Sequence, residues 1–315
     1  MRIKGLDNGY LYTKDDERRI FKSSISKDAT DIFGGNYITI DGIAYCVGVG
    51  KTTVELNKIV SETNKVCTIM NLAMTGEDDY FLVVGLPIGQ FKAQKEQIKL
   101  EVMKYNGCKV EYKEKPFKVS IRDVFVFPQG AASLLNERNL TDGDFIIVDI
   151  GGLTIDVALI ELINGSPIMH KSNTWFDGMQ KLYSNVIYAV NNKYNMTLPI
   201  DYAEKILRQD LMVDGEFQDT SFLDDIKLEF LQDITKELQL NYPSRTTPIY
   251  VTGGGGIVLY KTLNKTFKNT TLINDAQFSN AKGYHKIGLI KYKKYTTIPM
   301  STNKTLHWEI PNYGK

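Results

Sequence analysis

Cysteine, histidine and tryptophan are scarce in this chain of 315 residues, numbering three, three and two. Cys46, Cys67 and Cys108 are odd in number, widely spaced and form no Cys-x-x-Cys pair, so no disulfide framework is expected. His170, His285 and His307 show no ligand spacing, so no zinc centre is expected either. No apolar run approaches the roughly 20 residues of a membrane-spanning helix, and Met1-Arg-Ile-Lys-Gly-Leu-Asp7 contains no apolar signal core. The expectation is a cytoplasmic protein with no membrane partner. An excess of either charge is also missing. A formal net charge of +1 leaves no electrostatic footprint for nucleic acid, so no direct nucleic-acid contact is expected. What remains is 43% hydrophobic and 24% charged, enough for a full core and, at this length, for two domains.

Glycine is where the chain becomes specific. Phe145 to Val148 and Ile155 to Leu162 are apolar runs, and between them lies Asp149-Ile-Gly-Gly-Leu-Thr154, a segment short enough for a tight hairpin turn. Gly151 and Gly152 allow backbone N–H groups to approach an anion, and Asp149 at the end of a buried strand needs a cation or donors to face. An ordinary hairpin with polar turn residues is the alternative. The same design stands near the N-terminus, where Ile3-Lys-Gly-Leu leads to Asp7-Asn8-Gly9 before another strand-like run. Two copies, one near the start of each half, predict two related domains whose glycine turns close on one polyphosphate.

Three further stretches carry candidate site residues. Phe125-Val-Phe-Pro128-Gln129-Gly-Ala-Ala breaks a strand and starts a helix on small residues, so Gln129 either points into a cleft or is a solvated helix start. Pro248-Ile-Tyr-Val-Thr-Gly253-Gly254-Gly255-Gly256 is a strand running into four glycines and a helix, which lets a ligand rest on bare backbone at the positive end of a helix dipole. A flexible linker is the competing reading of such a run. Glu204 and Arg208 are four residues apart on one helical face, where a surface salt bridge is the simplest interpretation. Trp175-Phe-Asp-Gly178-Met predicts a helix running to about Tyr194, and Leu223, Ile226, Phe230, Ile234 and Leu238 predict one long amphipathic helix. Gly50-Lys51-Thr52 is half a Walker motif, because Tyr45 stands where the first glycine belongs. Asp156 is read simply as a strand residue, and the tail after Lys291, with Trp308, suggests no role.

Asp7-Asn8-Gly9, Gln129 before small residues, Asp149-Ile-Gly151-Gly152-Leu153-Thr154 and Thr252-Gly-Gly-Gly-Gly256, in that order, resemble the phosphate, connecting and adenosine motifs of the actin-fold ATPase superfamily. The similarity spans nearly the whole chain, and the short length and Asn280-Ala-Lys-Gly283-Tyr look most like plasmid-segregation actins of the ParM type. The resemblance implies an α/β actin-like fold in which two related domains, each a mixed sheet flanked by helices, enclose a nucleotide cleft. Domain I would comprise residues 1–143 plus 285–315, and domain II residues 144–284. It further implies binding and slow hydrolysis of ATP (or GTP) to ADP with Mg²⁺ held by Asp7 and Asp149, water oriented by Gln129, and phosphate contacted by Lys14. Gly178, Glu204 and Arg208 would adjoin the nucleotide. Filaments of the protein itself would segregate plasmid DNA through a DNA-bound adaptor of the ParR type. A non-polymerising actin-fold chaperone or sugar kinase and a cell-shape actin are the alternatives.

Overall fold

A computed structural model describes residues 1–27, 36–49, 60–76, 79–137, 140–164, 166–208 and 211–293. Lys51-Thr52 and the tail from residue 294 onward, with Trp308, lie outside the described residues. In the first half, β1 (Arg2–Asn8), β2 (Tyr12–Asp15) and β3 (Ile20–Lys22) are followed by β4 (Ile25–Ser26), β5 (Asn36–Ile40) and β6 (Ile43–Val47). Then come α1 (Glu62–Thr75), β7 (Asp79–Leu86), α2 (Ile88–Met103), β8 (Lys109–Tyr112), β9 (Lys115–Lys118), β10 (Ser120–Pro128) and a 3-10 helix (Ala131–Asn136). The second half opens with β11 (Gly143–Ile150), β12 (Ile155–Ile163), β13 (Ser166–Trp175), α3 (Met179–Tyr194) and α4 (Tyr202–Arg208). The hairpin β14 (Leu211–Val213) and β15 (Glu216–Gln218) precedes α5 (Leu223–Phe230), α6 (Gln232–Asn241), β16 (Ile249–Thr252), α7 (Gly253–Thr266), β17 (Thr270–Leu272) and α8 (Ser279–Lys291).

The halves repeat one sheet. The first is ordered β3-β2-β1-β7-β10 and the second β13-β12-β11-β16-β17. In both, three consecutive strands form an antiparallel meander and two later strands add in parallel beside its first strand. The parallel additions arrive through helical crossovers, which cover the faces of the sheet and explain why β11 reads as a nearly continuous apolar run. An antiparallel sheet, β4-β6-β5-β8-β9, is added in the first half.

Facing sides of the two principal sheets share one core. Ile3, Phe81, Val83 and Phe127 from the first pack with Phe145, Ile147, Ala158 and Ile160 from the second, together with Tyr284 and Ile287 of α8. Close approach here depends on glycine: a Cβ at Gly283 would lie 2.0 Å from the Ala132 carbonyl oxygen, and one at Gly5 would lie 2.1 Å from that of Ala281. Helix α8 thus lies against both β1 and the 3-10 helix, and the expected division between residues 284 and 285 falls inside it.

Three local expectations change. The long helix over 223–238 is two helices, because Leu231, with φ −85° and ψ 0°, bends the chain between α5 and α6. Leu231, Ile234 and Leu238 still enter the same core as Leu223, so the apolar spacing continues across the bend and hides it. Trp175 pairs with Ile155 as the last residue of β13, and the helix begins only after Gly178. Gln129 leads into a 3-10 helix because Gly130, at φ 75°, reorients the chain immediately after it.

Candidate functional site

The first hairpin places Asp7 and Lys14 directly opposite each other on β1 and β2. Directly paired residues of antiparallel strands project from the same face, so their side chains meet. Lys14 Nζ lies 2.9 Å from Asp7 Oδ2. The Gln129 backbone N–H donates to the Leu86 carbonyl at 2.8 Å, which fixes the end of β10 beside β7. From there the Gln129 amide donates to Asp7 Oδ1 at 3.2 Å.

In the second hairpin the residue opposite Asp149 is another aspartate, Asp156. Asn280 of α8 donates to Asp149 Oδ2 at 2.7 Å, while its own Oδ1 accepts from the Gly130 N–H at 2.9 Å. Burial first, and then the charge of Asp7, push Asp149 up to about 6 against the pull of the Asn280 hydrogen bond. Asp156 is pushed up to about 7, again first by burial and then by Asp149. Its carboxylate accepts from Thr174 Oγ1 at 2.5 Å, from the Ile88 N–H at 3.2 Å and from Thr154 Oγ1 at 3.5 Å. Ile88 opens α2 in the first half, so Asp156 joins the two halves of the chain as well as facing Asp149.

The glycine turn closes the third side. Gly253 has φ +83°, and a Cβ there would lie 2.4 Å from the Ile150 carbonyl oxygen and 2.6 Å from Asp149 Oδ1. Only glycine fits that position without moving the second hairpin. Thr252 makes no side-chain cap to α7, whereas the N–H groups of Met179 and Gln180 in α3 donate to the carbonyls of Gly151 and Gly152. At the start of α7 the Gly253 N–H donates to the Ala276 carbonyl at 3.2 Å, and Gly254 and Gly255 line the cleft, where a helix N-terminus favours an anion or polar ligand. Beyond it, Glu204 accepts from the Tyr12 hydroxyl at 2.5 Å and pairs with Arg208 at 3.1 Å. Arg208 also donates to Gln277 Oε1 at 3.2 Å. Burial and the Glu204 carboxylate together raise the Tyr12 phenol above its usual range, so it stays a donor.

These elements border one cleft. Of the expected site residues, Asp7, Gly9, Lys14, Gln129, Asp149, Gly151, Gly152, Thr154, Glu204, Arg208, Gly253, Gly254 and Gly255 line it. Asn8, Leu153, Gly178 and Gly256 do not. The Asn8 amide is turned toward α1, donating to Asn64 Oδ1 and Thr68 Oγ1 at 2.7 Å each. Gly178 packs behind the second hairpin, where a Cβ would lie 2.5 Å from the Leu153 carbonyl carbon.

Sequence reasoning missed Tyr12, Asp156, Tyr183, Gln277 and Asn280, all of which line the cleft. Two had a signal. Tyr12 is two residues from Lys14 on one strand and shares its face, and Asp156 follows the second turn closely enough to come near Asp149 in a tight hairpin, with the register deciding which residue stands directly opposite. Gln277 had none, being one polar residue in a turn.

Two family models match the chain. Residues 5–131 match the N-terminal domain of actin-like proteins, and residues 147–265 match the C-terminal domain of the archaeal, MreB-like actin homologue. An archaeal actin homolog of Thermoplasma volcanium is 25% identical over 223 residues, covering 65% of this chain and 67% of that protein. Among solved structures, a 15-stranded ParM filament from Clostridium botulinum superposes with a TM-score of 0.75 at 20% identity, covering 91% of this chain and 98% of that one. An archaeal actin homolog in complex with ADP gives a TM-score of 0.74 at 21% identity, covering 91% and 99% of the two chains. With the duplicated sheet, the two aspartate hairpins and a family model matching each half, the chain belongs to the superfamily of actin-like proteins.

Proposed function

We propose that this chain binds ATP (or GTP) with Mg²⁺ in the cleft, hydrolyses it slowly to ADP and polymerises into filaments. Those filaments would segregate plasmid DNA through a DNA-bound adaptor of the ParR type. The observation that carries the reading is convergence: an aspartate from each of two duplicated hairpins, Gln129 and the Gly253–Gly255 backbone border a single cleft.

The residues present fit a divalent cation. Asp7 and Asp149 are buried in one cleft, and the charge of Asp7 helps to hold Asp149 near 6, a repulsion that a cation between them would relieve. Mg²⁺ bound by Asp7 and Asp149, largely through water, would neutralise phosphate charge. The chain supplies the rest. Backbone N–H groups of the two hairpins and α7 face the polyphosphate, Lys14 adds a charge beside Asp7, and Glu204 and Arg208 border the nucleoside end. Gln129, already held against Asp7, presents its amide to an attacking water, and no nucleophilic side chain is needed for phosphoryl transfer to water.

Assembly is supported by the likeness to the ParM filament and to an Alp12 filament, which superposes with a TM-score of 0.66. Sedimentation and light scattering with Mg-ATP, Mg-ADP or no nucleotide, beside a phosphate-release assay, test the whole reading. The expected result is ATP-dependent scattering that decays as phosphate is released. ATP turnover without assembly would leave a non-polymerising actin-fold ATPase, and failure to bind either ATP or GTP would overturn the site.

A further inference from the structure

At the end of the second sheet remote from the cleft, Asp144, Glu161 and His170 come together on three neighbouring strands. One ligand atom from each lies within 4.8 Å of the others. Asp144 and Glu161 are direct partners in the β11–β12 register. His170 arrives by a different route. Leu159 pairs with Lys171 and Ile160 with Met169, so the bulge in β13 leaves His170 as the extra residue. A bulge re-aims a side chain, and the His170 ring nitrogen Nε2 sits 2.7 Å from Glu161 Oε2. Alternation along β11 puts Asp144 on the same face as Ile146, Val148 and Ile150 of the domain II core. Asp149 lies five residues farther along, about 17 Å at the usual strand rise.

Two features distinguish this group from a merely acidic surface. Like charges placed directly opposite across a strand pair destabilise a sheet, so the Asp144–Glu161 register favours a cation beside both carboxylates. The third donor is an imidazole, which Mg²⁺ and Ca²⁺ seldom use and divalent transition metals favour. Bond lengths of about 2.0–2.2 Å to zinc would bring the three donors roughly 3.4 Å apart in a tetrahedral arrangement. We infer that Asp144, Glu161 and His170 form a surface site for a divalent transition metal, with Zn²⁺ the preferred ion and water completing its coordination. Sequence spacing concealed it, because the ligands are brought together by strand register and a bulge. The bound ion would staple β11, β12 and β13.

Calorimetric titration of Zn²⁺ into the full, nucleotide-free, metal-stripped chain tests this, with Co²⁺ absorption as a second readout. The wild type should bind one equivalent and melt at a higher temperature with Zn²⁺. His170→Ala, and separately Asp144→Asn combined with Glu161→Gln, should each weaken binding at least about tenfold. Asp149→Ala should bind Zn²⁺ as the wild type does, and His170→Ala should keep its nucleotide turnover. Zn²⁺ binding unaffected by His170→Ala, binding lost with Asp149→Ala, or no binding by the wild type would each overturn the inference.

Discussion

The two aspartate hairpins share a backbone plan and differ in what stands across from the aspartate. Opposite Asp7 is Lys14, and opposite Asp149 is Asp156. The first hairpin is therefore neutralised by its own register, with a 2.9 Å ion pair and the Gln129 amide on the other carboxylate oxygen. The second sets two buried carboxylates side by side. Its described partners are the Asn280 amide for Asp149, and hydroxyls and one N–H for Asp156. Duplicated local structure thus yields one hairpin that is electrostatically complete and another that is completed only by a proton or a cation. In the proposed function, nucleotide-bound metal is what completes it.

The largest effects should come from removing each aspartate in turn. Asp149→Ala should lower Mg²⁺-dependent turnover by about a hundredfold or more and leave the melting temperature at pH 8 unchanged or raised. Asp7→Ala should lose turnover as well, and also cost about 3 kcal/mol in stability, because Lys14 would be left buried and unpaired. Equal stability losses in the two variants, measured by urea unfolding, would erase the contrast between the hairpins.

Next in size is Gln129→Ala, which should slow phosphate release roughly ten- to a thousandfold while nucleotide affinity stays near wild type. If hydrolysis times disassembly, the mutant filaments should form normally and persist, as followed by light scattering. Gly254→Val probes the third turn. Its added side chain would meet Gln277 Oε1, 3.1 Å from the Cβ position, and occupy the cleft surface, so nucleotide affinity in calorimetry should drop roughly tenfold.

A pH series sharpens the comparison without nucleotide. Asp156 and Asp149 have folded-state values raised to about 7 and about 6. A carboxyl raised on folding contributes stability that is full below its unfolded value near 4 and is lost as pH rises through the folded value. Wild-type stability should therefore fall between about pH 4 and 7 relative to Asp156→Asn, which keeps an oxygen for the Ile88 N–H and carries no charge. His285, lowered by burial, acts in the opposite direction and is common to both proteins, so the difference between their melting curves isolates the carboxyl pair. Parallel pH profiles would show that the pair does not repel as the register implies. The smallest effect expected is that of Tyr12→Phe. Loss of its bond to Glu204 across the cleft should speed dissociation of a fluorescent nucleotide roughly three- to tenfold, in line with about 1 kcal/mol for one hydrogen bond.

The sequence by itself determined the repeated strand–Asp–x–Gly plan, the glycine turn before α7, and Gln129 at a strand end, because turn chemistry and apolar runs are local properties. It also carried enough order among those motifs to imply an actin-like α/β fold, and the duplicated sheet has that architecture. Other features were decided only in three dimensions. Whether Glu204 and Arg208 form a surface pair or border the cleft depends on Tyr12 and Gln277, 192 and 69 residues away from their partners in the chain. The bend at Leu231 leaves the apolar period intact and so has no sequence signal. Adjacency in sequence misled for Asn8, which follows Asp7 directly and turns instead to α1, since successive residues of a strand face opposite sides. Strand register paired Asp149 with Asp156, and a bulge turned His170 toward Glu161 and Asp144. In each case the deciding quantity is which distant backbone lies alongside, and packing of the whole chain sets that.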